Sequence, residues 1–130
     1  DNLRETLKDE IKIQQNDQEL TGFGFCNLCE LNMKRITTEE EFLQACKAAA
    51  IIGTVQAYYT DFTYLTKVSE LIAKRDALLG VSMTGMADNP DMAFNPELQK
   101  KGAQLILKVN EQIAKILEIN PAARFAPRWV

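Results

Sequence analysis

The chain has 130 residues, 46% hydrophobic and 25% charged, a length that suits one domain burying roughly two-thirds of its unfolded surface and a composition that excludes a disordered chain. A formal net charge of -3 gives no basic field for sequence-independent nucleic-acid binding, which rests on Lys and Arg neutralising phosphates, so no nucleic-acid partner is expected. The longest apolar run, Ala48 to Ile52, is far short of the ~18 residues of a membrane span, the opening lacks a secretory signal, and three cysteines make no disulfide framework; a cytoplasmic, reducing location without a membrane partner is expected.

Leu3, Leu7, Ile11 and Ile13 set a short helical stripe among charges, and residues 14–19 are polar and read as loop. Across residues 23–33 the apolar positions 23, 25, 29, 31 and 33 alternate with Gly24, Glu30 and Asn32, the period of a strand with one buried face. Cys26 and Leu28 then face the opposite side. Thr37 or Thr38 before Glu39, Glu40 and Glu41 predicts a helix start, since a hydroxyl caps the first amides and the acids suit the positive end of the helix dipole. That helix is expected to reach about Tyr58. Between Phe42 and Tyr58 its one formal charge is Lys47, and a helix with so little polar face belongs inside a larger body. Gly53 in its middle costs about 1 kcal/mol relative to alanine, which close packing against another backbone would explain.

The spacing of Val68, Leu71, Ile72 and Leu79, with Lys67, Glu70, Lys74 and Arg75 outward, predicts a second helix over 68–79. Residues 80–84 read as a short buried strand ended by Gly85, and Ala87-Asp88-Asn89-Pro90-Asp91 as a turn. Asn95-Pro96-Glu97 opens the best-defined helix, with a capping side chain and proline at the first helical position. Leu98, Leu105, Ile106, Val109, Ile113, Ile116 and Leu117 form its apolar stripe, and Asn120-Pro121 stops it. The order strand, helix, helix, strand, helix implies parallel strands joined by helices in a mixed α/β, helix-dominated fold.

Three segments stand out for chemistry: Gly24-Phe25-Cys26-Asn27-Leu28-Cys29-Glu30-Leu31-Asn32, residues 51–62 and residues 78–90. Together they resemble the middle of the catalytic domain of a ribonucleotide reductase, most closely the adenosylcobalamin-dependent, monomeric type. There a Phe-Cys-Asn-Leu-(Ser/Thr)-Glu strand is followed by Ile-Gly-Thr-hydrophobic-Gln and then by Leu-Leu-Gly-Val-Ser-hydrophobic-Thr-Gly. The likeness covers residues 22–124, leaving 1–21 as a divergent helix and loop and 125–130 as a divergent tail. It implies two or three strands of a ten-stranded α/β barrel.

By the same resemblance the activity is radical reduction of ribonucleotides to deoxyribonucleotides, as in a thioredoxin-dependent ribonucleoside-triphosphate reductase, with diphosphate or triphosphate substrate left open. A thiyl radical on one cysteine removes the 3′ hydrogen, and a second pair of cysteines reduces the substrate radical as the 2′ hydroxyl leaves as water. Cys26 matches the member of that reducing pair which sits before Asn-Leu. The resemblance places it facing the barrel interior, cycling between thiol and disulfide with a cysteine on an earlier strand. It also implies adenosylcobalamin, bound only in a complete enzyme, and a thioredoxin-type reductant.

The thiyl loop of the family, Asn-x-Cys-x-Glu, has no counterpart in the sequence: Lys8 stands where the cysteine would fall, and Asn27-x-Cys29 is followed by Leu31 rather than glutamate. Asn120-Pro121-Ala122-Ala123-Arg124 resembles the lead-in to the phosphate-binding Lys-Pro-Ser-Gly segment, but Phe125-Ala126-Pro127 follows. The expectation is a chain inactive alone that works in a complex with other reductase segments or subunits: a piece of a larger enzyme, a split-gene product or a degenerate copy. The alternative is a non-catalytic assembly or interaction module. Cys26-x-x-Cys29 on a strand puts its thiols on opposite faces, unlike a thioredoxin-type site at a helix start or a zinc site with a second ligand pair, and no metal is expected. Cys29 and Cys46 read as small buried hydrophobes, Asp61 and Asp88 as turn or capping residues, and Ser82 and Thr84 as partners of local backbone groups.

Overall fold

Alternating side chains make residues 26–32 a strand that hides one face, and a second strand supplies its hydrogen-bonding partner. The computed structural model describes residues 22–123 and the backbone of residues 125–127; the helix and loop expected before residue 22 lie outside the described residues. Strand β1 (Cys26–Asn32) runs parallel to β2 (Leu78–Thr84), with Cys26 opposite Leu78 and Asn32 opposite Thr84. Strand β3 (Phe125–Pro127) lies parallel to β2 on its other side, Leu79 opposite Phe125, so β2 is central in the order β1-β2-β3. Helices α1 (Glu39–Tyr58) and α2 (Lys67–Asp76) connect β1 to β2, and α3 (Pro90–Ala93) and α4 (Pro96–Ile116) connect β2 to β3. Helix α1 lies against the sheet and α4 lies along α1, so α1 is the middle layer. The fold is mixed α/β, rich in helix, with a small parallel sheet.

Helix α1 starts where the sequence places it. The Thr38 hydroxyl accepts from the Glu41 amide at 3.1 Å, while the Glu41 carboxylate accepts from the Thr37 amide at 2.7 Å and the Thr38 amide at 3.3 Å, a reciprocal capping box. These bonds hold the Glu41 carboxyl below its ordinary value, the Thr37 amide contributing most. Gly53 is where α1 meets the sheet: a methyl group there would overlap the Leu79 Cδ1 and lie 3.5 Å from the Cys29 Sγ. Gly102 plays the same part between α4 and α1, where a Cβ would sit 2.7 Å from the Phe42 Cε1 and 3.0 Å from the Cys46 Sγ. Missing side chains at these two points let three layers close on a core of Phe42, Met33, Leu79, Ile106 and Val81, all fully buried.

A buried polar chain ties the layers to the third strand. Thr54 and Asn110 are 1% and 4% exposed. The Thr54 hydroxyl donates to the Ala50 carbonyl at 2.6 Å and accepts from the Asn110 Nδ2 at 2.9 Å, and the Asn110 Oδ1 accepts from the Ala122 amide at 3.0 Å. Asn120 Nδ2 donates to the carbonyls of Lys74 and Arg75, and the Ala123 amide donates to the Asp76 carbonyl at 2.8 Å. The chain after α4 thus satisfies carbonyls that the end of α2 would otherwise leave without partners, and it enters β3 from a fixed point.

Several boundaries differ from the sequence reading. Helix α2 stops at Asp76, Ala77 takes the left-handed conformation at φ 41°, and the strand begins at Leu78. Leu79 is therefore a core residue of the sheet and not of a helix stripe. The segment read as a plain turn contains a 3-10 turn over Met86–Asp88 and the single helical turn α3. Helix α4 ends at Ile116, before Asn120-Pro121, and Ile116 is 74% exposed. Phe23 and Phe25, expected on the buried face, are 66% and 39% exposed, because they precede the first β1–β2 pair. Helix α1 is interior on one side only: Ile52 and Val55, on the side away from the core, are 60% and 50% exposed. Among the described residues no helix is long and apolar enough to cross a membrane.

Candidate functional site

Strand parity builds the site. On β1, Asn27, Cys29 and Leu31 turn toward α1, while Cys26, Leu28, Glu30 and Asn32 occupy the other face. Their partners in register on β2 are Leu78, Gly80, Ser82 and Thr84. This second face of the sheet carries the exposed Cys26 thiol and Leu28, the latter 71% exposed. Further along it the Ser82 hydroxyl donates to the Glu30 carboxylate at 3.2 Å. Thr84 instead donates to the Leu31 carbonyl at 3.4 Å. Gly80 leaves a hollow between the strands, since a Cβ there would lie 2.6 Å from the Leu28 Cδ2 and 3.6 Å from the Cys26 Sγ.

At the start of the two strands the sheet face runs into a cavity of about 360 Å³, walled by Phe25, Cys26, Asn27, Tyr59, Phe62 and Leu78. Its aromatic wall is held by ring contacts, Phe25 to Phe62 at 4.7 Å between centroids and Tyr59 edge-on to Phe62 at 6.3 Å. Asn27 closes the strand ends by donating to the Leu78 carbonyl at 3.0 Å. A second cavity of about 380 Å³ lies where the ends of α1 and α2 meet the chain after α4, and Asp61, Lys74, Glu118 and Asn120 line it.

The three thiols differ in what can reach them. Burial pushes the Cys29 thiol above its ordinary value and the Cys46 thiol up to about 12, so neither is poised to form the thiolate that attacks a disulfide or a substrate. Cys26 alone is exposed. Because Cys26 and Cys29 lie on opposite sheet faces, they cannot close a local disulfide or grip one ion together. Among the described residues no group of three or more His, Cys, Asp or Glu side chains is placed to hold a metal.

The structure thus sets Cys26 on the face that the alternation assigns to it; Ser82, expected to serve a local backbone group, donates instead to the carboxylate of Glu30, which sequence reasoning did not single out. The available signal was parity, since Glu30 is four residues from Cys26 and shares its face; Ser82 becomes its partner only through the register. Asp61 lines the second cavity, and Asp88 lies in the 3-10 turn Met86–Asp88. Compared with family models, with curated proteins and with solved structures, the chain finds no match.

Proposed function

We propose that this chain is a portion of the catalytic barrel of a ribonucleotide reductase of the adenosylcobalamin-dependent type, working in a reducing, cytoplasmic compartment and only with other segments or subunits. The observation that carries the reading is the placement of Cys26: an exposed thiol on the face of a parallel sheet that no described helix covers, the other face being packed by α1. In the proposed ten-stranded barrel, strands of other segments join the sheet and the face that carries Cys26 becomes the lumen. Cys26, Glu30 and Ser82 then point at the substrate.

The chemistry assigned to this chain is the reducing step. Cys26 and a cysteine from a strand outside the chain together give two electrons and two protons. The substrate radical loses its 2′ hydroxyl as water, and an S–S bond forms between the two sulfurs. A thioredoxin-type dithiol then reduces that bond and is itself oxidised. The 3′ hydrogen is removed by a thiyl radical on a cysteine that also lies outside this chain, and the same thiol returns it to the product radical, which restores the thiyl. By the resemblance, adenosylcobalamin bound in a complete enzyme would supply the radical. The cavity beside Cys26, at about 360 Å³, has no room for a corrin, so the described residues around the thiol do not fit that group and no step is drawn through it.

The test is co-purification with the polypeptide that carries the missing strand. Cys26 is expected to be trapped as a mixed disulfide with that polypeptide, and Cys26→Ser to abolish both the trap and nucleotide reduction by the assembly. If the assembled material reduces nucleotide no better than the partner alone, the proposal fails. The apolar outer side of α1, where Ile52 and Val55 are exposed, favours association under either reading and is the observation behind the second one, a reductase-derived assembly module without catalysis. An Asn-x-Cys-x-Glu loop and a Lys-Pro-Ser-Gly segment in the adjoining coding sequence would support the enzyme over the module.

A further inference from the structure

Gly80 occupies the middle of the central strand, where glycine weakens a strand by about 0.5–1 kcal/mol relative to alanine. Its backbone does not require it: among the described residues the one glycine with positive φ is Gly85. A strand glycine without a conformational reason marks a close approach to its vacant side. That side is the sheet face away from α1, and two described side chains converge on it. The position of the missing Cβ is 2.6 Å from the Leu28 Cδ2 and 3.6 Å from the Cys26 Sγ.

We propose that Gly80 is a positioning residue that keeps the Cys26 thiol accessible, by giving the Leu28 side chain a hollow on the neighbouring strand in which to lie. Leu28 and Cys26 sit two residues apart on one face of β1, about 7 Å along the strand, so Leu28 is the side chain best placed to cover the sulfur. With Gly80 opposite, it leans across to β2. A methyl group at position 80 expels it. Beyond it along the strands stands the hydrogen-bonded Glu30–Ser82 pair, a polar neighbour; on the near side stand Cys26 and Leu78, which an apolar group prefers. The displaced leucine therefore moves over the thiol. Because Leu28 is 71% exposed, the move costs the fold little.

This role deepens the reading of Cys26 as the working thiol and rests on it, but its test does not. The full chain is alkylated with iodoacetamide, and the rate at Cys26 is followed by peptide mass spectrometry. Gly80→Ala is expected to slow it several-fold, Leu28→Ala to leave it at the rate of the unaltered chain, and the double variant to react as fast as Leu28→Ala. The slowing should scale the rate across the pH range without moving the pH at which reactivity rises, as an access effect does. An unchanged or faster Gly80→Ala rate, or a double variant as slow as Gly80→Ala, overturns the proposal. Should Gly80→Ala fail to fold, Leu28→Ala still decides it: a rate several-fold above that of the unaltered chain means that Leu28 covers the thiol even with Gly80 in place, and refutes the role. The alkylation pattern with no mixed disulfide sinks the reductase reading alone, and the disulfide without the pattern sinks the positioning role alone.

Discussion

Replacing Gly53 with alanine sets two effects of known sign against each other. In the middle of α1, alanine is favoured over glycine by about 0.8–1.0 kcal/mol, so a helix free of neighbours would be stabilised. Here the added methyl overlaps the Leu79 Cδ1, and Leu79 is 1% exposed on the central strand. Leu79 cannot step aside, because β2 is held in register by β1 and β3 and the surrounding core is filled. Overpacking of this kind costs about 1–3 kcal/mol, and an overlap with a side chain that has nowhere to go belongs at the upper end. The expected balance is a net loss of about 2 kcal/mol, read as a lower urea midpoint at unchanged m-value. The double variant with Leu79→Ala sharpens the test. Leu79→Ala alone should cost about 2–5 kcal/mol, whereas on top of Gly53→Ala it should cost less, because the new methyl fills part of the space. A stabilised Gly53→Ala, or strictly additive losses in the double variant, would refute the claim that this glycine exists for contact between helix and sheet.

Gly102→Ala meets Phe42, fully buried, at 2.7 Å, and should lose about 1–3 kcal/mol by the same denaturation assay. Asn110→Ala leaves the Ala122 amide without its acceptor; a cost of about 1–3 kcal/mol is expected, with amide exchange at Ala122 rising more than in the middle of α1. Glu41 is held below its ordinary carboxyl value, so its contribution to stability is present above the unfolded pKa and is lost as pH falls through the lower folded one. Thermal melts taken downward from about pH 5, just above the ordinary glutamate value of about 4.3, should therefore show Glu41→Gln losing less stability than the unaltered chain. With a disulfide reagent, Cys26 should react first, Cys29 more slowly, and Cys46, pushed up to about 12, only on unfolding; a native Cys46 as reactive as Cys26 would contradict the buried placement.

Features carried by short-range chemistry were legible in the sequence. Thr38 and the three glutamates after it announce α1, Asn95-Pro96 announces α4, and the alternation through Cys29 and Leu31 puts Cys26 and Leu28 on the opposite face, as observed. Gly53 was readable as a close contact, though not with which partner. What escaped was set by tertiary pairing. Leu79 continues a helical period from Val68 and Leu71, and nothing local marks Ala77 as the left-handed residue that ends the helix, since glycine is the usual signal there. Only the demand of β1 for a parallel partner starting at Leu78 breaks the period. Phe125-Ala126-Pro127 is too short to show alternation, and its pairing follows from the fixed exit of the chain through Asn110, Asn120 and Ala123.

The sheet face away from α1 is also where local and global reasoning diverge. A sheet with one face in water ordinarily turns polar side chains outward, and Glu30, Ser82, Asn32 and Thr84 follow that rule. Cys26, Leu28 and Leu78, at the other end of the same face, do not, and beside them lies the aromatic cavity walled by Phe25, Tyr59 and Phe62. The face is therefore graded along the strands, apolar around the thiol and polar toward the strand ends. Solvent alone gives no reason for such a gradient. A substrate with an apolar-tolerant reacting carbon near the sulfur and polar groups further along gives one, and so does an added strand. The two are separable: a strand would protect the β1 amides from exchange along their whole length, whereas a small molecule would shield Cys26 and leave the β1 edge exchanging.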